Sequence, residues 1–278
     1  MNIKEQVFLI TGATDGMGKL AAMDIAKLGA TVLIHGRSKE KCMTTKDEII
    51  ASTGNNKIQF YLGDFSSLEQ VRCLADEILA DYTALDVLIN NAGIGFGDLN
   101  DKTRALSEDG FELRLAVNYL APFLLTCKLL PLLMRKHSRV VNVASIGQSS
   151  FDLSNIMLEK DYSPTRAYMQ SKLALVAFTF ELSERYGNTG TTFNCLHPGS
   201  YLNTKMVCES GITPLGSVQS GSDAIEYLAF SPELEGVTGK YFDQKKESRA
   251  ESQTYDIEFR RKLWDLSERL TANKSFQK

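Results

Sequence analysis

The sequence predicts an α/β fold, a single doubly wound parallel sheet of about seven strands with helices on both faces. Three observations predict it. Seven short apolar runs rich in β-branched residues recur along the chain, longer segments of helical period separate them, and polar or glycine-rich residues follow the runs. Strands that alternate with helices form right-handed βαβ units, and these give a parallel sheet covered on both sides.

Taken in order, "QVFLITG" (6–12) leads into a helix over 17–28, and "TVLIHGR" (31–37) into one over 39–52. "KIQFYLGD" (57–64) precedes helical period at 66–80, and "LDVLINNAG" (85–93) precedes the long apolar segment 111–136. "RVVNVAS" (139–145) is followed by a helix at 165–187, and "TTFNCLHPG" (191–199) by one at 222–230. After "GKYFDQK" (239–245) a last helix at about 255–271 sets Phe259, Leu263, Leu266 and Leu270 on one face. No repeat, low-complexity tract or long linker divides the chain, so 1–278 is read as one domain. Two long connections, at about 146–167 and 200–222, are substrate-loop candidates, because loops of that length are uncommon without a function.

Composition narrows the function. The chain has 278 residues, 43% hydrophobic and 23% charged, enough for a sizeable core. A formal charge of -3 gives no basic face for nucleic acid. The five cysteines lack any CxxC pair, which suits reduced thiols in a cytoplasmic protein, and the three histidines have no ligand-like spacing, so no metal site is expected. "MNIKEQVFLITGA" runs straight into a strand, with no secretory signal. "YLAPFLLTCKLLPLLM" is broken by Lys128, Pro122 and Pro131, and no transmembrane segment is expected.

Ligands of doubly wound sheets bind at the carboxyl ends of the strands, where the singled-out residues stand. "LITGATDGMGK" carries Gly12, Gly16 and Gly18 around Thr14, Asp15 and Met17. Glycines there admit a pyrophosphate to backbone N–H groups, and the helix N-terminus adds positive potential. After the second strand, Arg37 occupies the place where an acidic residue would hold the ribose of NAD; an arginine suits the 2′-phosphate of NADP. NADP (NADPH) is therefore expected over NAD, with Asp15 counting mildly the other way. Asp64, followed by Phe65, offers a carboxylate to an adenine amino group, or else caps the next helix. Asn91, Ala92 and Gly93 give a small-residue surface for the cofactor backbone.

Together with Asn118, Ser145, Tyr168-x-x-x-Lys172 and "HPG" (197–199), these motifs resemble the short-chain dehydrogenase/reductase family, in that family's order, over about residues 5–245. "AYMQSKLALVAFTFELSERY" and the closing "TGKYFDQKK…RRKLWDLSERL" are similar to retinol dehydrogenase-like members. The resemblance implies a Rossmann-type fold, NAD(P), hydride transfer between a nicotinamide and an alcohol or carbonyl carbon, and no metal.

On a helix, Tyr168 and Lys172 share one face. A free phenol ionises near 10, and an ammonium close by would lower that by about 1–3 units. Tyr168 is thus the candidate acid in reduction and base in oxidation, and Ser145 the candidate hold on the substrate oxygen. The resemblance also has Lys172 bond the nicotinamide ribose, and Asn118 reach Lys172 through a water. Pro122, four residues on, cannot donate to the Asn118 carbonyl, which is expected to stay free. Pro198 and Gly199 are implied at the nicotinamide face. Thr204 stands five residues after that glycine, where the family usually has threonine at four.

Phe151, Ile156 and Met157 are candidate apolar walls for a hydrophobic alcohol or carbonyl substrate, with 200–222 as a lid bearing Met206 and Ile212. Assembly as a homodimer or homotetramer stays open. A non-catalytic NADP-binding sensor on the same fold is the alternative, and the joint presence of Ser145, Tyr168, Lys172 and Asn118 weighs against it.

Overall fold

The structure, a computed structural model, describes residues 2–97 and 103–272. All seven apolar runs are strands: β1 (Val7–Ile10), β2 (Thr31–Gly36), β3 (Ile58–Leu62), β4 (Val87–Asn90), β5 (Arg139–Val143), β6 (Thr192–His197) and β7 (Lys240–Asp243). An eighth, β8 (Lys246–Ser248), pairs antiparallel with β7 and ends the sheet, whose order is β3-β2-β1-β4-β5-β6-β7-β8. Sequence reading stops at seven because "KES" is wholly exposed and carries no apolar alternation.

The helices are α1 (Gly16–Lys27), α2 (Lys39–Thr53), α3 (Leu68–Asp81), the single turn α4 (Leu113–Leu115), α5 (Ala121–Leu133), α6 (Pro164–Tyr186), α7 (Lys205–Glu209), α8 (Val218–Phe230) and α9 (Ile257–Ala272). Local chemistry sets several of their starts. Asp15 accepts the Gly16 N–H to open α1, and Ser163 with Pro164 opens α6 by accepting the Arg166 N–H. Ser217 caps α8 in the same way, four residues ahead of the expected start, because its first turn is polar and hides the helical period. The five-residue α7 lies inside the connection expected to be a loop.

Between α4 and α5 the chain winds with wider π pitch over Ala116–Leu120, where the Ala116 carbonyl takes the N–H of Ala121. Single π turns inside α-helices collect at functional sites, and this one is centred on Asn118. Pro122, just beyond, has no N–H to return to the Asn118 carbonyl. Leu113–Leu133 as a whole is, by length and composition, apolar enough to cross a bilayer, which corrects the expectation that its lysine and prolines disqualify it. Its composition has a core explanation, since 78% of its most apolar window is buried within the protein.

Alternate strand residues feed two layers. Leu9, Leu33, Leu88, Val140 and Phe193 pack with α3, α5, α6 and α9; Ile10, Ile34, Ile89, Val143 and Leu196 pack with α1 and α8. Trp264, the one tryptophan of the chain, locks α9 onto the first layer. Its ring centroid lies 5.1 Å from Phe123 and 5.8 Å from Phe178, and the Arg185 guanidinium sits 4.3 Å from it. Trp264→Ala should therefore cost about 3–5 kcal/mol, read as a lower urea midpoint by circular dichroism.

Candidate active site

The turn after β1 and the exit of β4 are in direct contact. A Cβ on Gly12, whose φ is +64°, would come within 2.8 Å of the Ala92 Cα. Thr11 Oγ1 accepts the N–H groups of Asn91 and Ala92, both at 3.0 Å. The Asn91 amide donates back to the carbonyls of Thr11 at 2.9 Å and Gly12 at 3.1 Å. Gly18 has no room for a side chain because this Asn91 amide and the Gly12 carbonyl fill the space. Asn91 is thus spent on shaping the loop, and Ala92 and Gly93 present the surface beside it.

His35, on β2, completes this end, and sequence reading missed it. Its Nε2 bonds the Gly63 carbonyl at 2.9 Å, its Nδ1 meets the Gly12 N–H at 3.3 Å, and Phe65 stacks on it at 4.5 Å. Burial pushes its pKa down to about 4, so at neutral pH the ring is uncharged, with Nε2–H donating and Nδ1 accepting. One imidazole therefore joins the loops after β1 and β3. The signal was a histidine ending an otherwise apolar strand, next to Gly36 and Arg37.

Arg37 and Asp64 come together at the mouth of this end. Arg37 is 78% exposed, and its Nη1 lies 3.9 Å from Asp64 Oδ2. Asp64 does not cap α3; its Oδ1 accepts the Ser66 N–H at 2.8 Å, while Asp109 takes the Leu68 N–H at 2.8 Å. Thr14 packs on Gly36, where a Cβ would meet its methyl at 2.7 Å. Asp15, exposed, holds the Gly16 N–H at 2.7 Å. A Cβ on Gly16 would point toward Thr204, whose Cγ2 lies 3.6 Å from it. Met17 packs against Gly221 at the start of α8. A bare glycine turn, a helix N-terminus and an arginine past β2 form a donor set that suits an anionic dinucleotide with an extra phosphate.

The four catalytic candidates gather at the ends of β4 and β5. Asn118, fully buried, is held by the backbone of Ile94: its Oδ1 accepts that N–H at 2.8 Å and its Nδ2 donates to that carbonyl at 3.0 Å. The same Nδ2 donates to Ser171 at 3.0 Å, and Ser171 donates to the Tyr168 carbonyl at 2.7 Å. Lys172, also buried, donates to the Val143 carbonyl at 2.8 Å. Ser145 Oγ accepts the Gly147 N–H at 3.0 Å and bonds the Tyr168 hydroxyl. The expected lowering of the Tyr168 pKa by Lys172 is not found. Burial raises it, against a smaller lowering by Ser145. The reason is geometric, since the ammonium is turned to Val143 and lies 5.8 Å from the phenol ring centroid.

At β6, Pro198 and Gly199 follow His197, whose Nε2 meets Ser200 Oγ at 3.1 Å. Thr204 starts α7 over the glycine turn, and Met206 packs on Gly95. Of the proposed walls, Phe151 is buried in the core layer that α9 covers. Gln253 holds both its N–H, at 2.7 Å, and its carbonyl, at 2.9 Å, and its ring faces Phe259 on α9. Ile156 and Met157 are half-buried against the same core layer. Phe96, which sequence reading passed over, stands at Tyr168 instead, with ring centroids 4.5 Å apart and planes at 63°.

Burial pushes Lys172 down to about 8 from 10.5. Below pH 8 folded and unfolded chains both carry the proton, and the buried ammonium costs the fold roughly 3 kcal/mol. Between pH 8 and 10.5 the unfolded chain binds more protons, so stability rises with pH. Denaturant titrations across this window should show the wild type gaining roughly 3 kcal/mol relative to Lys172→Met. Parallel curves for the two proteins would contradict a buried charged lysine.

The short chain dehydrogenase family description matches residues 6–213. Retinol dehydrogenase 13 of Mus musculus is 35% identical, across 96% of this chain and 84% of its own length. Polyprenol dehydrogenase of Mus musculus is also 35% identical, with the same coverage of 96% and 84%. Among solved structures, a short chain dehydrogenase from Shigella flexneri 2a in complex with NADP superposes with a TM-score of 0.69, at 27% identity over 88% of this chain and all of that one. With the fold and the gathered motifs, these likenesses establish that the chain belongs to the short-chain dehydrogenase/reductase family, is similar to its retinol dehydrogenases, and is an NAD(P)-dependent oxidoreductase acting on CH–OH groups.

Proposed function

We propose that this enzyme uses NADP and acts on a hydrophobic alcohol and its aldehyde or ketone. The observation that carries the reading is the convergence of Tyr168, Ser145, Lys172 and Asn118 beside a glycine turn whose far end bears Arg37. The NADP bound to the Shigella neighbour supports the cofactor. Two relatives named for retinol and polyprenol support a lipophilic alcohol. A cytoplasmic setting belongs to the same reading and rests on the scattered cysteines.

The N–H groups of Thr14, Met17 and Gly18 would hold the pyrophosphate beside the bare backbone of Gly12 and Gly16, whose own N–H groups go to His35 and Asp15, with Arg37 on the 2′-phosphate and Asp64 and Phe65 at the adenine. Ala92, Gly93, Tyr168, Lys172, Pro198, Gly199 and Thr204 would border the nicotinamide half. NADPH supplies the hydride when bound. In reduction, the Tyr168 hydroxyl gives its proton to the substrate oxygen, and the Ser145 hydroxyl donates a hydrogen bond to that same oxygen as it gains charge. Lys172 favours the phenolate left on Tyr168, more so as the site excludes water. Asn118 holds the β4 exit and Ser171 in register beneath them. In oxidation the phenolate takes the proton back.

Fluorescence titration should give tighter binding of NADPH than of NADH. Arg37→Ala should weaken NADPH by about 10–100-fold, the worth of one charged hydrogen bond, and leave NADH within about twofold. Equal binding of the two cofactors by the wild type would refute the NADP reading. Tyr168→Phe should still bind NADPH while reduction of long-chain aldehydes falls by about 10²–10⁴.

A further inference from the structure

Arg114 is a charged residue within the apolar stretch "ELRLAVNYLAPFLLT", and neither the glycine turn nor the catalytic group uses it. It is 9% exposed, and each of its three nitrogens is engaged. Nε donates to the Gly95 carbonyl at 2.9 Å and Nη2 to the Phe96 carbonyl at 2.5 Å. Nη1 donates to the Tyr162 hydroxyl at 3.0 Å and lies 3.4 Å from Glu112 Oε1. Glu112 is itself buried, and its second oxygen accepts the Leu115 N–H at 2.8 Å, which opens the helix leading to Asn118.

The backbone that Arg114 grips has little stiffness of its own. Phe96 stands between two glycines, and Gly97 has φ of +71°. The Phe96 ring nonetheless meets the Tyr168 ring at 4.5 Å. On the other side Gly95 lies under Met206 of the 200–222 connection, where a Cβ would come within 2.6 Å. Tyr162 belongs to the 146–167 connection. One guanidinium thus reaches the β4 exit and one substrate-side connection, and its target segment touches the other.

A buried ion pair is a weak source of net stability, because desolvation offsets the attraction. The planar fork of arginine supplies fixed geometry instead. We propose that Arg114 is a positioning residue that holds Phe96 against Tyr168 and couples that contact through Tyr162 to the 146–167 connection, so that Phe96 selects apolar substrates at the reacting oxygen. This rests on the oxidoreductase reading above.

The test compares the full-length wild type with Arg114→Gln, Arg114→Lys, Tyr162→Phe and Phe96→Ala, with NADPH and two aldehyde probes, nonanal and propanal. Arg114→Gln should lower kcat for nonanal by about tenfold or more while the NADPH Kd moves less than about twofold. Arg114→Lys keeps the charge without the fork and should recover part of that loss. Tyr162→Phe should raise KM for nonanal and leave kcat within about twofold. Phe96→Ala should reduce the preference in kcat/KM for nonanal over propanal by about tenfold. Hydrogen exchange over residues 94–97 and 158–163 should quicken in Arg114→Gln by about tenfold and stay unchanged elsewhere. Wild-type kinetics and exchange in Arg114→Gln would overturn the proposal. So would a parallel loss of NADPH binding and Tm, which marks a role in folding alone. Should the wild type reduce neither aldehyde, the substrate reading fails and exchange alone decides the clamp: faster exchange at 94–97 upholds it, unchanged exchange overturns it.

Discussion

The contact of Gly12 on Ala92 is the constraint on which the rest of the molecule depends. β1 has β2 on one side and β4 on the other, so the connections after β1 and β4 leave the sheet at its switch point, where a crevice opens. The crevice keeps its shape because the two connections touch without side chains between them and are stitched by Thr11 and Asn91. A methyl group at Gly12 would collide with backbone, which cannot rotate aside, and would push the β4 exit toward Asn118. Ile94 would then shift against the amide that holds it, and Ser171 and Tyr168 lie on the same chain of bonds. The phosphate end and the catalytic end therefore share one mechanical foundation.

Deeper in the sheet, a second polar chain keeps the same strands aligned. The Asn90 amide donates to Asn142 at 2.8 Å and to Thr126 at 2.9 Å, and Asn142 donates to Thr179 at 2.8 Å. These side chains tie β4 and β5 to α5 and α6 just below the site. Buried amides are costly unless bonded, and their bonds fix register in a way that leucine packing alone does not. The helix that continues from the Asn118 turn and the helix that carries Tyr168 are thereby referenced to the strands that lead into Asn91 and Ser145.

Much of this was legible in the sequence, for physical reasons that differ from residue to residue. Strands buried on both faces read as near-continuous apolar runs, so β1 to β7 were visible, while the exposed β8 left no trace. Glycines and the Tyr168–Lys172 spacing announced themselves because backbone approach and helical repeat restrict residue choice locally. The burial of Phe151 against Phe259 was not visible, because its contacts, like the Gln253 amide on its backbone, come from about a hundred residues away. His35 and Phe96 were missed for the same reason, since neighbours distant in sequence give them their work. Asp64 stands between these cases: its carboxylate is where expected, but helix capping falls to Asp109, from a different connection.

Two of the buried cations, Arg114 and Lys172, are held in contrasting ways. Arg114 is surrounded by acceptors and faces Glu112, so its charge is compensated and its position fixed. Lys172 donates to the Val143 carbonyl and faces no carboxylate partner among the described residues, and burial has pushed it down to about 8. A compensated charge exerts little field on its surroundings; an uncompensated one at low effective dielectric exerts a stronger one. In the resting structure that ammonium is turned to Val143 and does not lower the Tyr168 pKa; under the proposed function its field acts on the phenolate once the proton has left. On the roles proposed above, replacing Arg114 by an apolar residue would remove a bracket, whereas replacing Lys172 would remove a charge. That asymmetry follows from how the protein solvates each cation, Arg114 by acceptors on every nitrogen and Lys172 by the Val143 carbonyl.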